Sequence, residues 1–255
     1  MSEWERYVRK VEPYVPGEQP KEDGVIKLNT NENPYPPSPK VSEILRTVDT
    51  DKLRLYPDPE ATELVLAIAD RYGVDPARVF VGVGSDDVLA MAFLTFFGSD
   101  RPILFPDITY SFYDVWAKLF GIPYETQPLR ADFSIDPSDY RKENGGIVIP
   151  NPNAPTGLEE AEGVLEGVIA SNPGSVVIID EAYVDFGAKS VLPLTERYDH
   201  LLVVSTYSKS RSLAGSRIGF AIGDSKLIAC LNACKFSFNS YTMDRLTIQI
   251  GRAAM

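Results

Sequence analysis

Short apolar runs alternating with segments of helical period predict an α/β fold for this chain. The expected form is a three-layer αβα arrangement around a mostly parallel sheet, preceded by an extended N-terminal arm. Two observations carry the prediction. Residues 176–179 and 201–205 are strand-length runs rich in Val, Ile and Leu, the pattern of strands covered on both faces. The segments between such runs repeat apolar residues at i, i+3 and i+4. The size agrees: 255 residues, 44% apolar and 24% charged, is ordinary globular composition with ample chain for a core.

The elements follow in order. Residues 1–40 carry Pro13, Pro16, Pro20, Pro34, Pro36, Pro37 and Pro39, which disfavour a long helix or a central strand. This is the arm. It is interrupted by the short apolar piece 25–28, and Tyr14, Tyr35 and the polar cluster 29–33 suggest that it docks on the body. The spacing then predicts helices over 60–72, 86–97, 110–120 and 159–170, with Gly121 a natural stop for the third. Strands are expected over 79–83, 102–105, 146–149, 176–179, 201–205 and 217–222. The pieces 226–234 and 244–255 read as helices, and the last stops uncapped at Ala253-Ala254-Met255. The expectation is a large domain over 41–255, truncated before or within a C-terminal small domain. No internal repeat is visible.

Charge and composition exclude several classes. A net charge of −11 and a pI near 4.7 make a poor nucleic-acid binder. One histidine, His200, and two cysteines, Cys230 and Cys234, leave too few ligands for a zinc site and no disulfide framework. The cysteines read as small buried residues on one helix face. No apolar run is long enough to span a membrane and the start is not a signal peptide. The expected setting is the cytoplasm.

Four motifs sit at expected strand ends, the ligand edge of an open α/β sheet. Lys209 follows an apolar strand with Ser208 before it and Arg217 beyond. Hydroxyl and guanidinium groups can hold a phosphate, and a lysine beside a phosphate site can carry pyridoxal phosphate as a Schiff base. Asp180 ends another strand. A buried aspartate needs a cationic partner, which a protonated pyridine nitrogen supplies; a helix N-cap is the plainer reading. Gly82-Val83-Gly84-Ser85-Asp86-Asp87 is a glycine turn into a helix, whose free amides can take a phosphate. It is not a dinucleotide fingerprint, because Asp87 stands where the third glycine belongs. Asn151-Pro152-Asn153-Ala154-Pro155-Thr156-Gly157 is a stiff turn in which cis peptides can form. Together the four fit one ligand bearing a phosphate, a ring nitrogen and an aldehyde.

The chain thereby resembles the pyridoxal-phosphate-dependent aminotransferases of the aspartate aminotransferase fold, most closely their histidinol-phosphate branch. The resemblance also rests on residues 28–35 (Leu-Asn-Thr-Asn-Glu-Asn-Pro-Tyr), 55–59 (Leu-Tyr-Pro-Asp-Pro), Thr109-Tyr110 and Asp180-Glu181-Ala182-Tyr183. It implies that Lys209 binds the cofactor covalently, Asp180 pairs with the pyridine nitrogen and Tyr183 donates to the ring hydroxyl oxygen. Tyr110 would stack on the ring. The amides of Ser85 and Asp86, with Ser208 and Arg217, would hold the phosphate. Tyr56 would reach the phosphate of the neighbouring subunit in a homodimer, and Asn33 would lie near the substrate. The implied reaction is transamination of histidinol phosphate with 2-oxoglutarate. The alternatives are a threonine-phosphate decarboxylase-like lyase and a truncated cofactor-binding domain without turnover. Two departures stand out. Ala154 replaces the family's asparagine before Pro-Thr-Gly, leaving Asn153 or Tyr183 to contact the ring oxygen. The family's arginine for the substrate carboxylate lies in the small domain, beyond residue 255.

Overall fold

The computed structural model describes residues 2–22 and 24–255. Its centre is a seven-stranded sheet formed by β1 (Val79–Gly82), β2 (Ile103–Pro106), β3 (Tyr124–Gln127), β4 (Gly146–Pro150), β5 (Val177–Asp180), β6 (Leu201–Thr206) and β7 (Gly219–Gly223). The strand order is β1-β7-β6-β5-β4-β2-β3. Strand β7 runs antiparallel to both neighbours, and the other adjacent pairs are parallel.

Side-chain alternation assigns the two faces. Ile178, Leu202, Val204, Ala221 and Phe80 point into one core. There they meet helices α3 (Ser85–Phe96), α4 (Tyr113–Phe120) and α6 (Ser225–Phe238). Val177, Ile179, Leu201 and Val203 point the other way, onto α5 (Glu162–Ser171). Val79, Val81, Phe220 and Ile222 face that same side, covered by α2 (Thr62–Tyr72) and α7 (Arg245–Ala254), with α1 (Pro39–Arg46) packed alongside. The three layers expected from the sequence are present.

Two elements were not expected from the sequence, and two others start later than expected. Helix α1 begins inside the proline-rich stretch because Pro39 is its first residue, a position with no amide bond to lose. Strand β3 was not expected. It is an edge strand of sequence Tyr-Glu-Thr-Gln whose two central residues are exposed, and polar side chains on an open edge discourage pairing with other chains. Helices α4 and α5 start later than their periodicity suggested. At α5, the preceding Glu159 and Glu160 side chains instead accept the amides of Lys189 and Ile135. The expectation of buried cysteines fails at Cys230, which is exposed, while Cys234 is half-buried. The inward face of α6 is Ile228, Leu231 and Lys235, and a 3.6-residue turn carries position 230 off that face. Among the described residues, no helix is long and apolar enough to cross a membrane.

Backbone packing is tightest where β7 passes the turn after β1. A Cβ on Gly219 would lie 2.3 Å from Gly84 C and 2.3 Å from Ser85 N. Only glycine lets these two segments approach so closely. Gly219→Ala is therefore expected to lower stability by about 1–3 kcal/mol through forced backbone separation. Urea unfolding followed by circular dichroism checks this: the midpoint should fall with the slope unchanged.

Candidate active site

The strand ends build the site. Alternation places Asp180, the last residue of β5, on the Ile178 side, towards α4. Its carboxylate is buried. Oδ2 accepts the Tyr113 hydroxyl at 2.9 Å, and Oδ1 accepts the Ala182 amide at 3.2 Å. Among the described residues it has no ion-pair partner. Burial pushes its pKa up to about 6, against the two hydrogen bonds. Tyr113 is fully buried, and burial followed by the Asp180 charge holds its hydroxyl protonated well above the usual tyrosine range. The next carboxylate, Glu181, serves a different segment, accepting Ser190 Oγ and the Val191 amide, both at 2.7 Å. Burial raises it to about 7.

Lys209 lies beyond β6. Its Nζ donates to the carbonyls of Thr30 at 2.9 Å and Asn31 at 3.4 Å, and stands 5.6 Å from the centre of the Tyr183 ring. The arm is thus tied to the lysine. Asn31 Nδ2 donates to the Tyr183 hydroxyl at 3.0 Å. Asn33 Nδ2 donates to the Lys209 carbonyl at 3.0 Å, while its Oδ1 accepts the Tyr35 amide. Of the two arm tyrosines, Tyr14 docks on Phe112 with centroids 4.3 Å apart, whereas Tyr35 is exposed.

A third group lies at the start of α3. Gly84 precedes it at φ +88, a conformation suited to glycine. The Asp86 carboxylate accepts the Tyr110 hydroxyl at 2.8 Å and Arg217 Nη2 at 3.2 Å. Burial, then the Asp86 charge, raises the Tyr110 hydroxyl. Ser208 is buried, its amide and hydroxyl both bonded to Thr206 Oγ1. Ser85, Asp86, Tyr110 and Arg217 are therefore gathered at one helix N-terminus, where free amides favour anions.

Two expected residues stand apart. Both peptides, Asn151–Pro152 and Ala154–Pro155, are cis, but Asn153 Nδ2 spends its protons on the Ile108 carbonyl and Thr156 Oγ1. That leaves Oδ1, an acceptor, without a partner. Tyr56 touches none of the other site residues named above. It is exposed, stacks on Tyr241 at 4.7 Å, and receives Arg245 on its carbonyl. The sequence reading missed Tyr113 and the arm residues Thr30 and Asn31 as individual contacts. The signal for Tyr113 was a tyrosine on the inward face of an apolar helix, which needs a buried partner for its hydroxyl.

Residues 23–255 match the model of the family "Aminotransferase class I and II". The chain belongs to that family. Curated relatives agree. Histidinol-phosphate aminotransferase 1 of Hydrogenovibrio crunogenus is 57% identical over 243 residues, 95% of this chain and 68% of the relative. Histidinol-phosphate aminotransferase 2 of Dechloromonas aromatica is 55% identical, covering 99% of this chain and 72% of the relative. The fold is shared with histidinol-phosphate aminotransferase from Sinorhizobium meliloti in complex with pyridoxal-5'-phosphate, at TM-score 0.78 and 23% identity over 88% of this chain and 62% of that one. Aspartate aminotransferase from Thermus thermophilus with maleate gives TM-score 0.80 at 21% identity, over 88% and 63%.

As a member of the class I and II aminotransferases, the protein is a pyridoxal-phosphate-dependent enzyme, and its site fits that cofactor. A buried carboxylate without a cation suits a protonated ring nitrogen. The Gly84 turn is open enough for Arg217 to lie where a side chain would stand, Nη2 being 2.5 Å from the position of a Cβ. Thr109 Oγ1 and Asn153 Oδ1 are buried without partners. Among the described residues, no group of three His, Cys, Asp or Glu could hold a metal ion.

Asp180 yields a pH prediction for the aminotransferase freed of its cofactor. Its folded pKa, about 6, exceeds the unfolded value of about 3.9. The native state therefore holds the proton more tightly. The stability this contributes is complete below about pH 4 and is lost as pH rises through about 6. Asp180→Asn should make the cofactor-free protein more stable at about pH 8 by about 2–3 kcal/mol, a gain that shrinks towards about pH 5. Urea unfolding of both proteins at the two pH values measures it.

Proposed function

We propose that this chain catalyses amino transfer from histidinol phosphate to a 2-oxo acid, 2-oxoglutarate, with Lys209 as the cofactor-binding and proton-moving residue. The observation that carries the reading is the buried, cation-free Asp180 carboxylate at the end of the strand beside Lys209. The names of the relatives supply the substrate. When bound, pyridoxal phosphate supplies an aldehyde for the substrate amine and a protonated ring that draws electrons from the substrate Cα.

The chain's own residues do the rest. Lys209 would hold the cofactor and, when its amine is free, would take the proton from the substrate Cα as general base and deliver it to the cofactor C4′ as general acid. Asp180 accepts the ring N–H, and its charge keeps that nitrogen protonated. Tyr113 orients the carboxylate through its 2.9 Å bond. Tyr183 donates to the ring hydroxyl oxygen, a contact left to it because the Asn153 amide protons are already used. Tyr110 stacks on the ring. The amides of Ser85 and Asp86, the Ser208 hydroxyl and Arg217 hold the phosphate. Asn33 lies at the substrate side and fixes the Lys209 backbone.

Residues 1–40 serve as the arm and 41–255 as the cofactor-binding large domain. Tyr56 reaches the neighbouring subunit's phosphate in a homodimer, consistent with its exposure. Free Cys230 and Cys234 suit a reducing cytoplasm.

Borohydride reduction followed by peptide mapping should place the pyridoxyl group on Lys209. In the unreduced, cofactor-loaded protein, histidinol phosphate should shift the visible spectrum, and amino-acid phosphates should release no carbon dioxide. A label on Lys226 or Lys235 would sink the assignment, and carbon dioxide release would turn it towards a lyase. Asp180→Asn should retain cofactor while single-turnover rates fall by about two orders of magnitude or more, the loss of a charged partner tuned to the ring nitrogen.

A further inference from the structure

Behind the proposed catalytic set lies a second layer of charged contacts. Asp185 sits in the short turn Val184–Phe186, two residues after Tyr183. Arg211 follows Lys209 by two residues. Its Nη1 donates to Asp185 Oδ2 at 2.8 Å, and the same oxygen accepts Ser210 Oγ at 2.5 Å. Arg211 Nη2 donates to the Tyr72 hydroxyl at 3.3 Å, and its guanidinium carbon lies 5.1 Å from the centre of the buried Tyr207 ring.

We propose that Asp185, Ser210 and Arg211 form a positioning clamp that sets the distance between Lys209 and Tyr183. The inference rests on the roles given to those two residues above. Neither belongs to a regular element. The turn after Lys209 contains Ser212 at φ +55 and is closed by the Ser212 amide on the Lys209 carbonyl at 3.2 Å. The turn after Tyr183 ends at Gly187, φ +109. Backbone hydrogen bonding fixes each turn internally; the clamp links them to one another. An ordinary surface ion pair would contribute little. This one differs because only 13% of the Arg211 side chain is exposed and its donors are shared among a carboxylate, a hydroxyl and a phenol. A guanidinium presents separate nitrogens to such a divided set, Nη1 to Asp185 and Ser210 and Nη2 to Tyr72, whereas a lysine would offer a single point charge.

The test uses the full chain loaded with pyridoxal phosphate. The variants are Arg211→Gln, Asp185→Asn, their double, the exchange Asp185→Arg with Arg211→Asp, and the milder Ser210→Ala. The readouts are the pH midpoint of the visible band and the separate values of kcat and KM. Removing a cation and removing an anion move a nearby midpoint in opposite directions by direct field alone. A clamp predicts the same direction for both, by roughly half a unit or more, because each loosens the same geometry. It also predicts a kcat about tenfold lower with KM within about threefold, a double variant no worse than either single, and partial recovery in the exchange variant. Ser210→Ala keeps the ion pair and should show a smaller shift of the same sign. Opposite shifts, multiplied losses in the double, or an unmoved midpoint would overturn the clamp. Should the charge variants fail to fold, an unmoved Ser210→Ala midpoint overturns it alone. Mapping the borohydride label keeps the two readings apart: a label on Lys209 with unmoved midpoints removes only the clamp, whereas a label elsewhere removes the site reading and the clamp together.

Discussion

A carboxylate buried among apolar strands without a cation is costly, and the chain carries one at Asp180. Much of the site is arranged around that cost. The Tyr113 hydroxyl and the Ala182 amide reduce it without removing it, as the raised pKa shows. Tyr113 can reach Asp180 only because α4 lies on the Ile178 face of the sheet, and β5 ends with Asp180 on that face. One residue of slip in β5 would turn the carboxylate to the opposite layer. The parallel registers of β4, β5 and β6 therefore fix the electrostatics as well as the core. In the proposed function, the cofactor's ring nitrogen would complete the arrangement as the missing cation.

The same alternation explains why two adjacent acids do different work. Asp180 faces the layer of α4, where Tyr113 meets it. Glu181, equally buried, spends both oxygens on Ser190 and Val191 and so anchors the segment that returns from the Tyr183 turn. Asp185 then joins that turn to the one beyond Lys209. Three acids within six residues thus face a buried tyrosine hydroxyl, a structural strap and a guanidinium. Their partners, rather than their residue type, decide the role.

The fold was legible because its central strands are buried on both faces and so are apolar up to their last one or two residues, as in Val177–Asp180 and Leu201–Thr206. The polar edge strand Tyr124–Gln127 escaped for the opposite reason: solvent covers much of it. At the site, Lys209, Asp180 and Arg217 were legible because charged groups at apolar strand ends are unusual. Asn31, Thr30 and Tyr113 were not, since their partners lie far away in sequence and contribute backbone carbonyls or a hydroxyl that no local pattern marks. The cysteines show a further limit. Helical spacing placed both near one face, but the face that turns inward carries Ile228 and Leu231 and, with them, Lys235, a lysine in a position composition would leave to solvent. Burial lowers its pKa, and its ammonium rests on the Pro59 carbonyl and between Phe80 and Phe236.

The arm brings these arguments together. Its apolar residues Ile26, Leu28 and Tyr35 are exposed in the single chain, so over that stretch the hydrophobic effect within one subunit does little to hold it. What holds it is polar: the Lys209 ammonium on the Thr30 and Asn31 carbonyls, Asn31 on Tyr183, and Asn33 on the Lys209 backbone. The Lys209 ammonium cannot keep both carbonyls while its nitrogen is bound to cofactor. The bond from Asn33 is to backbone and survives that change. On the role proposed for Lys209, the arm therefore keeps the Asn31 and Asn33 side-chain anchors at all times and gains the two ammonium contacts only when the lysine is free. Arm contact and lysine chemistry are in this way two readings of the same nitrogen, and the exposed apolar stretch is left for the neighbouring subunit of the proposed dimer to cover.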